Sequence, residues 1–316
     1  MKAAEPSPSS PPIQAEVWGV SRPPLVGPLG RAEEHPTAVK LITGTKLRQL
    51  REQLALSPAQ VQRKLGMDRS KTSRIEKGRL AVKREQALAL LDLYGVTDPD
   101  HVAEFLSLVE LCHRPEWWKA WSDAAADFVQ PLLALEGAAE VVRTYENFYV
   151  PGLLQVPEYT CAVIRSEHPG LLPNKVMSRA ELRDARKKHL DEPGGVTLWA
   201  IIDESVLHHD FGSPEVLRAQ IAYLIRRAQH PSITLQIAPT SATRRVSLSH
   251  NVTLLHFAQK DLASVVYIEH LTTSHFSDKP DDAETYQAQL DKLAMYALTP
   301  EETVEVLERR LAELAG

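Results

Sequence analysis

Between residues 45 and 112, apolar residues recur at the spacing of amphipathic helices. The first stripe consists of Leu47, Leu50 and Leu54 on one helix. The residues expected to pack against it from later helices are Val61, Leu65, Ile75, Leu88 and Leu91. A further stripe consists of Val102, Phe105, Leu106, Val109 and Cys112. Because residues three and four apart lie on one face of a helix, the first stripe predicts a small all-α unit and the second predicts a further helix after it.

Within this unit, residues 57–77 predict two short helices joined by a tight turn. Ser57 can cap the first helix, with Pro58 at the first helical position and Gln60 three residues after the cap. Gly66 can adopt the left-handed conformation that ends a helix, and Asp68 can cap the next one. This order of signals is that of a helix-turn-helix.

The second of these helices has one polar face and one apolar face. Thr72 and Ile75 are expected to point inward. The polar positions are Arg69, Ser70, Lys71, Ser73, Arg74 and Lys77. Arginine can donate two hydrogen bonds to a guanine edge, serine can bond to bases or phosphates, and lysine attracts the phosphate backbone. We therefore predict that this face binds the major groove of double-stranded DNA, although most basic helical faces are merely solvated.

Charge is distributed unevenly along the chain. Residues 45–94 contain 12 Lys and Arg against 5 Asp and Glu, a net charge of +7, whereas the whole chain of 316 residues has a net charge of −5. The remainder therefore carries −12 (−5 minus +7). Concentration of positive charge in the segment with the helix-turn-helix pattern favours nucleic-acid binding over a solvated face.

From about residue 127 the pattern changes to a mixture of helices and short β-branched runs. Helices are predicted over 135–149 and 175–190, and the second carries Arg179, Arg183, Arg186 and Lys187. These cations indicate either an anion site or a second basic surface, or a solvated face paired with local acids. About four strands are predicted, at 196–202, 233–238, 252–257 and 264–269. The fold class is therefore multidomain, with an all-α helix-turn-helix head followed by an α+β domain that contains a small sheet.

We divide the chain into four segments. Residues 1–40 are rich in Pro and Ser and are predicted to be a disordered arm, with a short docking element at Trp18 and Val20 as the alternative. Residues 41–94 form the head, 95–126 a helical connector, and 127–316 the α+β domain. Trp117, Trp118 and Trp121 in the connector are expected to pack between the domains or on the next helix, rather than to stack on bases.

The head resembles the XRE-type, lambda-repressor-like transcription regulators in LRQLREQ, SPAQVQRKLGMDRSKTSRIEKGR and LALLDLYGV. EWWKAW, LEGAAEVVRTYENFYVPGLLQVPEYTCAVI, IIDESVLHHDFG, TLQIAP and VVYIEH resemble the C-terminal region of many actinobacterial regulators, some of which are classed as antitoxin-like. The resemblance extends from Leu41 to the C-terminus and implies a DNA-binding regulator. Relatives are often encoded beside a small acidic protein, which implies such a partner. Pro58 and Ala59 stand where relatives have a polar residue that touches a phosphate, so the resemblance does not extend to that contact.

Few residues suggest catalysis or metal binding. The titratable candidates are Asp203, Glu204, His208, His209, Asp210, Glu269 and His270. The sequence contains neither an HExxH motif, a nucleophile elbow, a phosphate-binding glycine loop nor paired-cysteine spacing, so no enzymatic activity, cofactor or metal is expected. Cys112 and Cys161 are predicted to be buried thiols. Neither a signal peptide nor a run of about 18–20 apolar residues is found, which predicts a cytoplasmic, nucleoid-associated protein without a membrane partner.

The expected function is therefore sequence-specific transcriptional regulation through the α+β domain. One alternative is an antitoxin-like module that acts mainly through a small partner protein, and another is a small-molecule sensor, which requires a cavity. A single reading helix covers only about four or five base pairs, too few to select one site in a genome, so a homodimer is expected. Since two basic heads repel each other, the dimer interface is expected in the acidic remainder of the chain.

Overall fold

The structure, a computed structural model, describes residues 24–259, 262–270 and 272–314. The helices are α1 Pro36–Gln53, α2 Pro58–Leu65, α3 Arg69–Glu76, α4 Arg84–Leu93, α5 Pro99–Leu111, α6 Gln130–Glu136, α7 Pro157–Glu167, α8 Pro173–Ala185, α9 Lys188–Asp191, α10 Pro214–Arg227, α11 Thr240–Thr243, α12 Pro280–Tyr296 and α13 Pro300–Glu313. The strands are β1 Val141–Glu146, β2 Thr197–Asp203, β3 Ile233–Ala238, β4 Val252–His256, β5 Val265–Glu269 and β6 Ser274–Ser277. No described helix is both long and apolar enough to cross a membrane.

The head consists of α1–α5 around one core. Leu47, Val61, Ile75 and Leu91 meet in that core as predicted. Leu54 and Leu88 are 49% and 41% exposed, so their assignment to the core was wrong. Leu54 lies beyond the last residue of α1, where the chain leaves the helical face. The core also includes Phe105, Leu106, Leu108, Val109 and Cys112, so the head extends through α5, past the predicted boundary at residue 94.

The predicted arm is partly ordered. Residues 1–23, with Trp18 and Val20, lie outside the described residues. By contrast, α1 begins at Pro36, and Ala38 and Val39 are fully buried, so disorder as far as residue 40 was wrong. Ala38 and Ile42 belong to the core of the α+β domain, whereas Val39 and Leu47 belong to that of the head. The helix α1 is therefore shared between the two cores.

The α+β domain contains a mixed sheet of six strands in the order β3-β2-β1-β4-β5-β6, rather than the predicted four. Strands β1, β2 and β3 are parallel, and β4, β5 and β6 continue the sheet antiparallel to their neighbours. The sequence analysis missed β6 and wrongly assigned β1 to a helix over 135–149. In the segment 141–146 only Val141, Val142 and Tyr145 are apolar, without strict alternation, and such a short buried run cannot be distinguished from a buried helix by periodicity alone.

Both faces of the sheet are covered. On one face, Leu198, Ala200 and Ile202 of β2 share a core with residues of α7, α10 and α13. On the other face, Ile201 shares a second core with Leu290 and Leu293 of α12. Alternate residues of one strand thus point into opposite cores, as the strand geometry requires.

Candidate nucleic-acid interface

The turn between α2 and α3 has the geometry that the sequence predicts. Ser57 and Gln60 form a reciprocal capping box, and Gly66 ends α2 with φ = +67°. The Asp68 carboxylate accepts a hydrogen bond from the backbone N–H of Lys71 at 3.1 Å. The local signals therefore fix where α3 begins and how it leaves α2.

The polar face of α3 is accessible. Arg69, Ser70, Arg74 and Lys77 are exposed, and Lys71 and Ser73 are partly exposed, whereas Thr72 and Ile75 are buried as predicted. None of the four cations makes an ion pair among the residues that the structure describes. The face thus presents guanidinium and ammonium groups whose charge is not neutralised locally.

A buried ion pair holds the C-terminal end of α3 against α1. Arg51 Nε donates to Glu76 Oε1 at 2.6 Å and Arg51 Nη2 donates to Glu76 Oε2 at 2.9 Å. The third donor, Arg51 Nη1, binds the carbonyl oxygen of Leu56 at 2.6 Å. This bidentate geometry fixes orientation as well as distance, so the pair positions α3 relative to α1. Burial, with the nearby Glu76 carboxylate, also raises the pKa of Tyr94 to about 12.

Close packing of α1 on α3 depends on a small residue. A Cβ atom at Gly44 would lie 2.3 Å from the carbonyl oxygen of Ile75 and 2.9 Å from that of Glu76. Sequence reasoning missed both Gly44 and the Arg51–Glu76 pair. The available signal was a polar Arg51 one residue from Leu50 on the inner face of a helix, which indicates a buried charge that needs a partner.

The tryptophan cluster lies away from the polar face of α3. Trp118 is buried beside Leu133 and Leu182, and Trp117 Nε1 donates to the carbonyl oxygen of Leu133 at 3.0 Å. These contacts confirm the prediction that the cluster packs on the following helix, α6.

The titratable candidates of the α+β domain do not form one site. Asp203 accepts hydrogen bonds from the backbone N–H and hydroxyl of Ser205 at 2.9 and 2.6 Å, which is a turn-capping role. His209 Nδ1 lies 3.0 Å from the carbonyl oxygen of Phe148. Only Glu269 and His270 of this set line a cavity of the domain that also contains Glu146, Arg183 and Arg186. Among the described residues, no group of three or more His, Cys, Asp or Glu side chains is placed to hold a metal ion.

The four cations predicted on α8 and the residues just after it separate in the structure. Lys187 pairs with Asp184 at 2.7 Å, and Arg186 pairs with Glu136. Arg183 and Arg186 line the cavity, whereas Arg179 and Lys187 do not. Of the three alternatives, pairing with nearby acids applies to Arg186 and Lys187, and the four cations do not form a single basic surface.

Comparison with known proteins assigns both parts of the chain to families. Residues 43–105 match a family described as "Helix-turn-helix domain", which confirms the helix-turn-helix in the head. Neither a curated protein nor a solved structure matches the chain. Residues 129–309, 181 of the 316 (309 − 129 + 1), match a family described as "Domain of unknown function (DUF5753)". The chain therefore belongs to the DUF5753 family and carries a helix-turn-helix domain before the family's defining region.

Proposed function

We propose that the chain is a sequence-specific, DNA-binding transcription regulator that reads the major groove with α3. The observation that carries this proposal is the face of Arg69, Ser70, Ser73, Arg74 and Lys77, whose cations have no ion-pair partner among the described residues. The buried Arg51–Glu76 pair supports it further, since a reading helix needs a fixed orientation to distinguish bases. The proposal concerns binding and assigns no catalytic step to the chain.

In this proposal the cations of α3 have different tasks. Arg69 and Arg74 donate to guanine edges, Ser70 and Ser73 bond to bases or phosphates, and Lys71 and Lys77 neutralise phosphates. Replacing an arginine that reads a base costs about 1–3 kcal/mol and relaxes the preference at one base pair, whereas replacing a lysine weakens binding to all sequences.

The test begins with DNA sites selected by the full chain from a random pool. Binding of a selected site and of a scrambled site is then measured by fluorescence anisotropy for the wild type, Arg69→Ala, Arg74→Ala and Lys77→Ala. Arg84→Ala is the matched control, because Arg84 is an exposed head arginine on α4 that pairs with Glu110 at 3.2 Å. We expect each α3 arginine variant to reduce the difference in binding free energy between the two sites by about 1–3 kcal/mol, and the control to retain that difference. Equal losses on both DNAs would exclude base reading by α3.

We propose further that two copies act together on an inverted-repeat operator, with half-sites about 10 base pairs apart or a multiple of that. The specificity argument and the repulsion between two heads of net charge +7 support an interface outside the head. Sedimentation equilibrium of the full chain tests this point, and a monomer at micromolar concentration would contradict it. The small acidic protein partner stays a prediction, which co-purification with the full chain tests.

A further inference from the structure

One feature of the α+β domain that the proposed function does not explain is a cavity of about 270 Å³ beside β1, β4 and β5. Its walls include Thr144 and Glu146 of β1, Thr253 of β4, and Tyr267 and Glu269 of β5. After β1 the chain builds β2 and β3 on one side of β1, and then β4 to β6 on the other. The cavity therefore lies where the strand order reverses, which is the usual position of ligand sites in open α/β sheets.

One ion pair in the cavity wall is complete. Arg186 Nε and Nη2 donate to the two carboxylate oxygens of Glu136, each at 2.8 Å. Their side chains are only 11% and 3% exposed. Burial alone lowers the pKa of Arg186, but the charge and hydrogen bonds of Glu136 outweigh burial, and the net direction is upward. Within this pair, one positive and one negative charge compensate each other.

The remaining charges of the wall do not balance. Three more carboxyl groups line it, those of Glu146, Glu167 and Glu269, and one more arginine, Arg183. Arg183 Nη1 donates to the side-chain oxygen of Gln155 at 3.1 Å. With Glu136 and Arg186, the described lining residues amount to four Glu against two Arg, a formal surplus of two negative charges (−4 + 2).

The hydrogen bonds within the wall do not neutralise this surplus. Glu146 Oε1 accepts from the Thr144 hydroxyl at 3.4 Å, and Glu269 Oε2 accepts from the Tyr267 hydroxyl at 3.2 Å. Desolvation, followed by the charge of Glu269, raises the pKa of Glu146 to about 8. Desolvation likewise raises the pKa of Glu269, against the opposing effect of Arg183 and Arg186. Carboxyl groups crowded in this way are stabilised by a cation, and such crowding is frequent at functional sites.

We propose that this cavity binds a small organic ammonium compound, with the ammonium group held by Glu146 and Glu269. A metal ion is disfavoured because no group of three or more ligating side chains among the described residues is arranged for one. An anion is disfavoured because Arg186 is already paired and three carboxyl groups would surround it. Tyr149 also lines the cavity, and its ring can contact the methylene or methyl groups beside a cationic nitrogen.

The cavity limits the size of the ligand. Its volume of about 270 Å³ corresponds to about nine water molecules at about 30 Å³ each. This volume is at the lower end of the range for small-molecule sites, and it suits a compound of about ten non-hydrogen atoms. Diamines, guanidino-amines and imidazolyl-amines are of this size.

A short series of contacts links the cavity to the start of α1. Glu136 ends α6, and the next residue, Gly137, packs so closely on the head that an added Cβ would lie 2.3 Å from the ring of His35. Arg31 Nε donates to the carbonyl oxygen of Gly137 at 3.0 Å. His35 immediately precedes α1, which carries Arg51 and hence the pair that orients α3. A ligand that shifts the Arg186–Glu136 pair therefore has a short route to the reading helix, and its role as an effector rests on the DNA-binding function proposed above.

The first test measures thermal unfolding of the full chain, without DNA, in the presence of a panel of small amines that includes putrescine, agmatine and histamine. Succinate and inorganic phosphate at the same ionic strength test the opposite charge. We expect at least one amine, and neither anion, to raise the melting temperature by about 5–10 °C at about 100 times its Kd. Stabilisation by an anion alone, or by no member of the panel, would overturn the proposal.

Variants locate the site. Glu269→Gln and Glu146→Gln are expected to weaken amine binding about 10- to 100-fold, because each removes a charged hydrogen-bond acceptor. Glu181→Gln is the matched control, since Glu181 is exposed on α8 and does not line the cavity. Without ligand, Glu146→Gln is expected to raise the melting temperature at pH 8, because it relieves the crowding of carboxylates. A lower melting temperature would mean that Glu146 has a structural partner, and would overturn its assignment.

The effector role is tested separately with DNA selected by the protein. An amine that binds should change the Kd for this DNA about 5- to 150-fold, the usual range of allosteric coupling. An amine that binds with no change in DNA affinity would overturn the effector role. A chain that binds the amine but no DNA would instead contradict the proposed function and leave the amine site supported.

Discussion

The head and the α+β domain each contain a buried arginine–glutamate pair of the same bidentate geometry. Arg51 and Glu76 meet at 2.6 and 2.9 Å, and Arg186 and Glu136 meet at 2.8 Å twice. The four side chains are 11% exposed or less. As isolated interactions the two pairs are nearly equivalent, and the difference between them lies in their neighbours.

In the head, Arg51 also donates a hydrogen bond to the carbonyl oxygen of Leu56, and the neighbouring residues belong to the hydrophobic core. In the α+β domain, three further carboxyl groups and Arg183 face the same space as the pair. The Arg51–Glu76 pair is enclosed by the core and holds one conformation. The Arg186–Glu136 pair lies beside an excess of carboxyl groups, whose charge a cationic ligand can neutralise. Predictions that perturb each pair, or the contact between them, test this distinction.

The largest effect is expected from Glu76→Gln, which leaves the buried Arg51 with only the half-exposed Glu52, at 3.4 Å, as a counter-charge. Breaking a buried pair on one side costs about 3–5 kcal/mol of the free energy of unfolding. Urea unfolding followed by circular dichroism measures the loss. Replacing both partners, with Arg51→Met and Glu76→Leu, should recover most of it, and a double variant as unstable as the single one would show that α3 needs the pair itself.

The next effect concerns the contact that joins the two regions. His35 and His189 have ring centroids 5.4 Å apart, and both are buried. The pKa of His35 is lowered to about 4, mainly by burial and also by the charges of His189, Arg31 and Lys188. The pKa of His189 is likewise lowered to about 4, mainly by burial and also by the charges of Lys188, Arg31 and Arg186. Both rings are therefore neutral in the folded protein near pH 6.

The sign of the pH dependence follows from these values. Unfolded histidine has a pKa of about 6.5, so the unfolded state binds more protons between pH 6.5 and 4, and stability falls as pH falls through this window. At pH 5 we expect a loss on the order of 2–4 kcal/mol for the two groups together. Chemical unfolding at pH 7 and pH 5 measures it. His189→Gln should reduce the loss, whereas His275→Gln, at an exposed position on β6, should leave it unchanged.

Glu136→Gln should cost less than Glu76→Gln, about 1–3 kcal/mol, although the two pairs have similar geometry. Arg186 borders an open cavity, where water can solvate the abandoned guanidinium. The same urea experiment provides the measurement. Equal losses for the two variants would remove the distinction drawn between the pairs.

The smallest effect is the pH dependence of amine binding. The groups that face Glu146 in the cavity are Glu136, Glu167, Glu269, Arg183, Arg186, Tyr149, Tyr267, His168 and His270. Because the pKa of Glu146 is raised to about 8, its carboxyl group is largely protonated at neutral pH and must release that proton to hold an ammonium group. Amine affinity should therefore rise about 25-fold between pH 6.5 and 8.5. Isothermal titration calorimetry in two buffers of different ionisation enthalpy detects the released proton, and Glu146→Gln should abolish it.

The contrast between the regions also explains what the sequence could predict. The turn, its caps and the polar face of α3 are encoded within residues 57–77, where each signal acts on neighbours at most four positions away. The cavity charges come from distant residues, since Glu136 and Glu269 are 133 positions apart (269 − 136). Helix periodicity correctly predicted a helix around Arg183, but the pairing of Arg186 with Glu136 depends on how α6 and α8 pack. The cavity could not be predicted either, because β1, which provides part of its wall, was assigned to a helix.

The position of α1 in two cores affects how the chain folds during synthesis. Ala38 and Ile42 leave the ribosome ahead of α6, whose Leu132 belongs to the same core and lies 94 positions after Ala38 (132 − 38). At about 5–20 residues per second, the apolar side of α1 waits roughly 5–20 s for this partner from α6. During that interval the nascent head exposes a stripe that a chaperone can bind, and translation speed through residues 45–132 sets how long it stays exposed.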